Sequence, residues 1–341
     1  MAAALFLGLS APAFAGSDLG TDDFETTIAK AKSQMMADPA AALNLARAAK
    51  TKVEGDSKAA ARSELTARWL EGEALMRLNR GEEARSLIDT ALAEASASFQ
   101  EEKIYADLLR SSASAKARAG KFKAALAHFE LASERYAVLG DARSRAIVLQ
   151  NIGSIYSEAR DYQEAIGYYG KAAEVFTDEG PLSLSAHNNI GNALKGLKRY
   201  SEAESEFGKA LAIAQKMSSQ LLEARILTNL ASAQLLGGAV EEADDTARRA
   251  LAIANQHAPR WQPFVHGVLA QIELDRGNLV LAEEHIAKTF ADHPLDKTNA
   301  LFRDFHKTAA AIFSRNGETE LAALHTDAFD RIEREANQLR L

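Results

Sequence analysis

The stretch that decides the fold reads Asn-Ile-Gly-Ser-Ile-Tyr at 151–156, followed after a short break by Asp-Tyr-Gln-Glu-Ala at 161–165. Apolar residues recur at spacings of three and four on both sides of the break, which is typical of two amphipathic helices. Gly153 falls in the middle of the first helix, where glycine costs about 1 kcal/mol relative to alanine. A close crossing by another helix would explain this glycine. We therefore expect a helical hairpin here.

The same arrangement returns along the whole chain. A small residue in the first helix precedes, by about twelve positions, an alanine that anchors the second helix. The small residues are Gly72, Ala113, Gly153, Gly191, Ala231, Ala270 and Ala310. The anchors are Ala42, Ala84, Ala125, Ala165, Ala203, Ala243, Ala282 and Ala322. Neighbouring anchors lie 38 to 42 residues apart, and such regularity indicates a repeat protein of eight hairpins.

The repeat resembles that of the tetratricopeptide-repeat (TPR) family, whose pattern has a small residue, an aromatic at the turn, and then alanine, aromatic, alanine. Two repeats carry it in full, with Gly153, Tyr162, Ala165, Tyr169 and Ala172, then Gly191, Tyr200, Ala203, Phe207 and Ala210. A unit near 40 residues exceeds the common length of about 34, as in kinesin-light-chain-like branches. The resemblance implies an all-α, right-handed superhelical solenoid over residues 23–329 that binds proteins or peptides.

Composition argues against other classes of function. The formal net charge is −7 and no basic stripe is present, which disfavours a nucleic-acid partner. The chain has no cysteine, so disulfides and thiol chemistry are excluded. The eight histidines do not form the helical pair of zinc peptidases, and we expect them to be scattered on the surface. Alternatively, His285 and His293 could approach each other if Pro294 breaks the helix that carries them. The sequence therefore predicts no enzyme, no metal site and no cofactor.

The two ends of the chain differ from the repeats. Residues 1–15 are apolar and end in Ala-Phe-Ala, which predicts a secretory signal peptide cleaved after Ala15 and an exported, periplasmic protein. No Lys or Arg precedes this run, so either the natural start lies upstream or the signal is weak; without a signal, the protein stays in the cytoplasm. Residues 16–22 form a polar leader. Residues 330–341 are expected to form a charged C-terminal helix, either a cap or a connector.

The first helices of stacked hairpins line a concave groove in such solenoids. Two positions before the small residue, three consecutive repeats carry Asn151, Asn189 and Asn229. An amide has both an acceptor and donors, so this ladder can hold a peptide backbone, as the resemblance to the long-repeat branches implies. Alternatively, the asparagines bridge adjacent first helices. Other residues expected on the same polar, mildly basic face are Asn188, Asn192, Ser154, Ser232, Arg110, Lys195 and Arg225.

Three functional hypotheses follow. The first is an exported, non-catalytic module that holds an acidic peptide or partner segment in its groove. The second is the periplasmic input region of a partial bacterial signalling protein, in which ligand binding changes the curvature of the superhelix. The third is a scaffold for an envelope assembly.

Overall fold

A computed structural model describes residues 23–176 and 180–338, and in these ranges the chain folds into sixteen α-helices without strands. The first helices of the hairpins are α1 (Phe24–Gln34), α3 (Lys58–Arg77), α5 (Lys103–Arg118), α7 (Ala142–Glu158), α9 (Gly180–Gly196), α11 (Gln220–Leu236), α13 (Gln262–Asp275) and α15 (Arg303–Arg315). The second helices are α2 (Pro39–Lys50), α4 (Gly81–Ser98), α6 (Phe122–Val138), α8 (Tyr162–Ala173), α10 (Tyr200–Lys216), α12 (Val240–His257), α14 (Leu279–Phe290) and α16 (Thr319–Gln338). Successive helices pack in pairs, which confirms the predicted solenoid of helical hairpins.

The chain divides into two compact units. The N-terminal unit ends at Ile155, and the C-terminal unit runs from Tyr156 to Leu341. In the N-terminal unit, packing follows the order of the chain, with α2 against α3 and α4 against α5. The C-terminal unit repeats this pattern, with α10 against α11 and α12 against α13. Contacts between neighbours in sequence are what a repeat array requires.

The hairpin turns are set by local chemistry. Pro39 opens α2 behind Asp38, whose side chain accepts a hydrogen bond from the Ala41 N–H at 2.9 Å, the usual way to satisfy a free helix N-terminus. Between α11 and α12, Gly238 takes a φ of +88°. Only glycine adopts such a left-handed backbone readily, so this residue lets the chain reverse.

The repeat-packing residues identified from the sequence are all buried. They are Gly72, Ala84, Ala125, Gly153, Ala165, Gly191, Ala203, Ala231, Ala243 and Ala282. At Gly191, an added Cβ would lie 2.7 Å from Cε1 of Phe207. At Gly72, it would lie 2.5 Å from Cγ1 of Ile88. The two helices of these hairpins therefore cross too closely for a larger residue, as expected.

The C-terminal end differs from the sequence prediction. Helix α16 runs without a break from Thr319 to Gln338, so residues after Phe329 continue the second helix of the eighth hairpin and do not start a helix of their own. Ile332 is 2 % exposed and shows why the helix continues, since it adds an apolar contact beyond the last anchor. The signal peptide predicted at 1–15 and the leader at 16–22 lie outside the described residues. None of the described helices has the length and apolarity of a membrane-spanning segment.

Candidate functional site

A polar stripe covers two neighbouring first helices of the C-terminal unit. On α9 it comprises Asn188, Asn192 and Lys195, and on α11 it comprises Arg225, Asn229 and Ser232. Steps of four and then three residues place the members of each set on one helix face. The polar stripe is therefore a continuous surface across α9 and α11.

The amides of the polar stripe bridge the two helices. Asn229 Nδ2 donates to Asn188 Oδ1 at 2.8 Å, and Asn188 Nδ2 donates to Asn189 Oδ1 at 3.4 Å. Asn188 is only 3 % exposed, so its amide acts inside the stack, as the bridging interpretation anticipates. Asn189 and Asn229 are partly exposed. Among the described residues, Asn229 Oδ1 and Asn189 Nδ2 have no partner, so an acceptor and a donor remain for a ligand backbone.

Two cations border these amides. Lys195 Nζ donates to Ser232 Oγ at 3.2 Å, and burial lowers the pKa of Lys195, an effect that Asp304 only partly offsets. Burial also lowers the pKa of Arg225, and within the described ranges no carboxylate pairs with it. A partly buried cation without a counter-ion is unfavourable, so an anionic ligand group would be stabilised beside it.

The remaining predicted groove residues belong to the N-terminal unit. Asn151 is partly exposed on α7, and Ser154 donates to the carbonyl of Gln150 within the same helix at 3.0 Å. Arg110 differs from Arg225 because acidic groups surround it: burial lowers its pKa, but Glu73, Tyr136 and Asp107 together raise it above the ordinary value. The charge of Arg110 is thus balanced within the protein, whereas that of Arg225 is not.

Four of the eight histidines form two pairs between helices, so the prediction that the histidines are scattered on the surface was wrong for these four. His285 approaches His266, not His293, with 2.9 Å between the two Nδ1 atoms. In the next hairpin His306 and His325 form an equivalent pair, also at 2.9 Å, and they are 0 % and 5 % exposed. His266 and His306 are 40 residues apart, and so are His285 and His325. This spacing equals the repeat length and was available in the sequence as a signal of repeated packing.

The last hairpin also contacts the start of the C-terminal unit. Arg160, in the turn between α7 and α8, pairs with Glu333 of α16 at 2.5 Å between Nη2 and Oε1. Arg303, at the start of α15, lies 3.6 Å from the same carboxylate. These residues are up to 173 positions apart in the chain. Sequence reasoning missed this contact because it has no repeat spacing.

Comparisons with known proteins agree with this architecture. The tetratricopeptide-repeat profile matches residues 104–178 and 182–256. The apo form of RapI aligns with 91 % of this chain and 86 % of its own at a TM-score of 0.74 and 16 % identity. The apo quorum sensor NprR from B. thuringiensis aligns with 93 % of this chain and 87 % of its own, at a TM-score of 0.67 and 15 % sequence identity. A Rap protein in complex with competence and sporulation factor aligns with 93 % of this chain and 99 % of its own, at a TM-score of 0.61 and 14 % sequence identity.

No curated protein sequence matches this chain significantly. At such low identities, the structural similarities show the fold alone. The profile match identifies the repeat type of the residues it covers, which are hairpins three to six, where the small-residue and alanine pattern is clearest. Residues 104–178 and 182–256 of this chain are tetratricopeptide repeats, and the fold of the chain is similar to that of a solved tetratricopeptide-repeat protein.

Proposed function

We propose that this TPR protein is a non-catalytic binding module and that the polar stripe of its C-terminal unit holds an extended peptide segment with acidic side chains. The observation that carries the proposal is Arg225, a partly buried guanidinium without a carboxylate partner in the described ranges. Guanidinium groups bind carboxylates through paired hydrogen bonds. Asn229 belongs to the same polar stripe and Asn189 adjoins it through Asn188, and the free amide atoms of both suit a peptide backbone.

The structural neighbours support binding of a partner. One is a complex with competence and sporulation factor, and another is a quorum sensor. These descriptions apply to those proteins. The proposal for this chain rests on its own polar stripe, since the sequences are only 14–15 % identical.

The test is selection from a random-peptide display library with the purified wild-type protein. We expect enrichment of peptides that contain Asp or Glu. Replacing Arg225→Gln should weaken the selected peptides about 10- to 100-fold, because a charge-assisted hydrogen bond contributes about 1.5–3 kcal/mol. The double variant Asn189→Ala/Asn229→Ala should weaken them as well. The matched control is Arg249→Gln, since Arg249 is exposed on the second helix α12. Selection without acidic enrichment, or equal affinity for the Arg225 and Arg249 variants, would contradict the proposal.

Export is a separate proposal that rests on residues 1–15. A fusion of residues 1–22 to alkaline phosphatase, an enzyme that is active only outside the cytoplasm, tests it directly. We expect activity with the natural segment and loss of activity when a charge is introduced by Leu7→Arg. An inactive natural fusion that is nevertheless produced in full would contradict export.

A further inference from the structure

The eighth hairpin contains a buried histidine pair with a defined hydrogen-bond network. His306 of α15 and His325 of α16 approach through their Nδ1 atoms at 2.9 Å. His306 Nε2 lies 2.7 Å from Oγ1 of Thr298. That hydroxyl donates its single proton to the carbonyl of Leu295 at 2.8 Å. The pair is thus linked through Thr298 to the turn that precedes α15.

These bonds determine where the imidazole protons lie. Because the Thr298 hydroxyl has already donated its proton, His306 Nε2 must carry a hydrogen and donate it. Neutral His306 then accepts at Nδ1, and His325 donates from Nδ1. One further proton can be added only at His325 Nε2. A second would have to enter between the two Nδ1 atoms and would break the pair.

The surroundings of His325 make even the first protonation, at Nε2, unfavourable. The ring centroids of Phe290 and Phe313 lie 4.8 and 5.6 Å from that of His325, and aromatic faces replace only part of the hydration that a cation loses. Burial lowers the pKa of His325 to about 4. The pKa of His306 is also lowered to about 4, mainly by burial and in addition by the neighbouring His325 and Arg331.

The charged groups on the elements around the pair are engaged elsewhere. On α16, Arg331 donates to the Thr298 carbonyl and pairs with Glu335. On α14, Lys288 pairs with Glu284, and on α13, Glu273 pairs with Arg276. On α15 itself, Arg303 pairs with Asp304. No carboxylate among the described residues is therefore placed to stabilise a protonated pair.

The same hairpin supplies charges to the polar stripe and to the first turn of the unit. Asp304 acts on Lys195, and Glu333 pairs with Arg160. Movement of α15 and α16 would remove both carboxylates and leave two cations without these partners.

We propose that the His306–His325 pair makes the eighth hairpin acid-labile, so that acidification loosens α15 and α16 and frees Arg160 and Lys195 to bind an anionic ligand. The loosening does not depend on the function proposed above, whereas its effect on ligand binding does. A histidine whose pKa is lower when folded stabilises the fold fully above its unfolded pKa and loses that stability as the pH falls. The sensitive range is therefore from about 6.5 down to about 4.

Amide hydrogen exchange followed by mass spectrometry tests the first step on the full chain. Going from about pH 7 to about pH 5, the protection factors of α15 and α16 should fall on the order of 30-fold for each imidazole that takes up a proton on opening. The hairpin α11–α12 serves as internal control, because Leu227 and Thr246 occupy the positions of the histidines. The pKa of His266 is also lowered to about 4, mainly by burial, so α13–α14 should lose protection as well. The change there should be smaller, because the pair His266–His285 is partly exposed and Glu284 and Glu273 favour protonated His285.

Two variants distinguish protonation of the His306–His325 pair from other effects of low pH on the protein. His325→Asn keeps a donor for His306 Nδ1 but cannot be protonated, so the change in α15–α16 should shrink. His257→Asn, at an exposed position of α12, should behave like wild type. Histidine NMR of the wild type gives an answer even if His325→Asn does not fold. Titration of His306 and His325 near their ordinary pKa without exchange in α15–α16, or equal protection at both pH values, would overturn the proposal. Unchanged peptide affinity despite a loosened hairpin would refute the coupling and leave the acid-labile hairpin intact.

Discussion

The close crossing of α9 and α10 allows a sharp test of the repeat packing, the substitution Gly191→Ala. Alanine is favoured over glycine in a helix by about 1 kcal/mol, so at an open position the change would stabilise the protein. Here the added Cβ would lie 2.7 Å from Cε1 and 2.9 Å from Cδ1 and Cζ of Phe207. That ring is 0 % exposed and cannot move into solvent. Overpacking of this kind costs about 1–3 kcal/mol.

We therefore expect Gly191→Ala to destabilise α9–α10 by about 1–2 kcal/mol, since its Cβ contact is well inside normal van der Waals distance. The third hairpin has Ala113 opposite Phe129 at the corresponding positions, so the helices of a hairpin can be spaced for a methyl group. Helices α9 and α10 lie too close together to accommodate a methyl group at position 191. The cost is that of moving the two helices apart against their neighbours.

The matched control is Gly208→Ala, one residue from Phe207. Gly208 is exposed on α10, and an added Cβ would meet nothing within 4 Å, so this variant should be stabilised by up to about 1 kcal/mol. Hydrogen exchange of α9 and α10 measures both effects, because 1–2 kcal/mol corresponds to roughly a 5- to 30-fold change in the opening equilibrium. The double variant Gly191→Ala/Phe207→Leu should recover part of the loss. If Gly191→Ala protects the hairpin as much as Gly208→Ala does, the argument for close packing is refuted.

Three further substitutions have defined outcomes. Tyr136→Phe removes the 2.5 Å hydrogen bond to buried Asp107 and should cost about 1–3 kcal/mol in urea unfolding; wild-type stability would show that Asp107 finds another donor. Asp141→Ala removes the N-terminal cap of α7 and the ion pair with Lys103, a loss of about 1 kcal/mol near neutral pH. Partial burial raises the pKa of Asp141, but the hydrogen bond from Lys103 and those at the cap outweigh burial and bring the pKa to about 2. The stability difference between wild type and Asp141→Ala should therefore vanish as the pH falls from 3.8 to about 2. A stability difference that is independent of pH would show that it does not come from the charge of Asp141. Arg225→Gln should stabilise the ligand-free protein on the order of 0.5 kcal/mol, because it removes an unpaired, partly buried charge; a lower urea midpoint would contradict that interpretation.

The sequence by itself determined the repeat, the helical hairpins and the residues that pack within them. Gly191 and Ala203 are twelve positions apart because the two helices of a hairpin meet at a fixed distance along the chain. Such contacts are encoded by spacing, and the residues at these positions also carry the resemblance to the tetratricopeptide repeat. The histidine pairs obey this rule too, since His266 and His306 are one repeat apart.

Only the tertiary structure decided which polar residues remain available. The rotation of α9 about its axis buries Asn188 and leaves Asn189 partly exposed, although the two are neighbours in sequence. The contact of Arg160 with Glu333 joins residues 173 positions apart. Such a contact depends on small rotations added over successive repeats of the C-terminal unit, and no local pattern records their sum. The absence of a carboxylate partner for Arg225 among the described residues was hidden in the sequence too, because an ion-pair partner can come from a distant repeat.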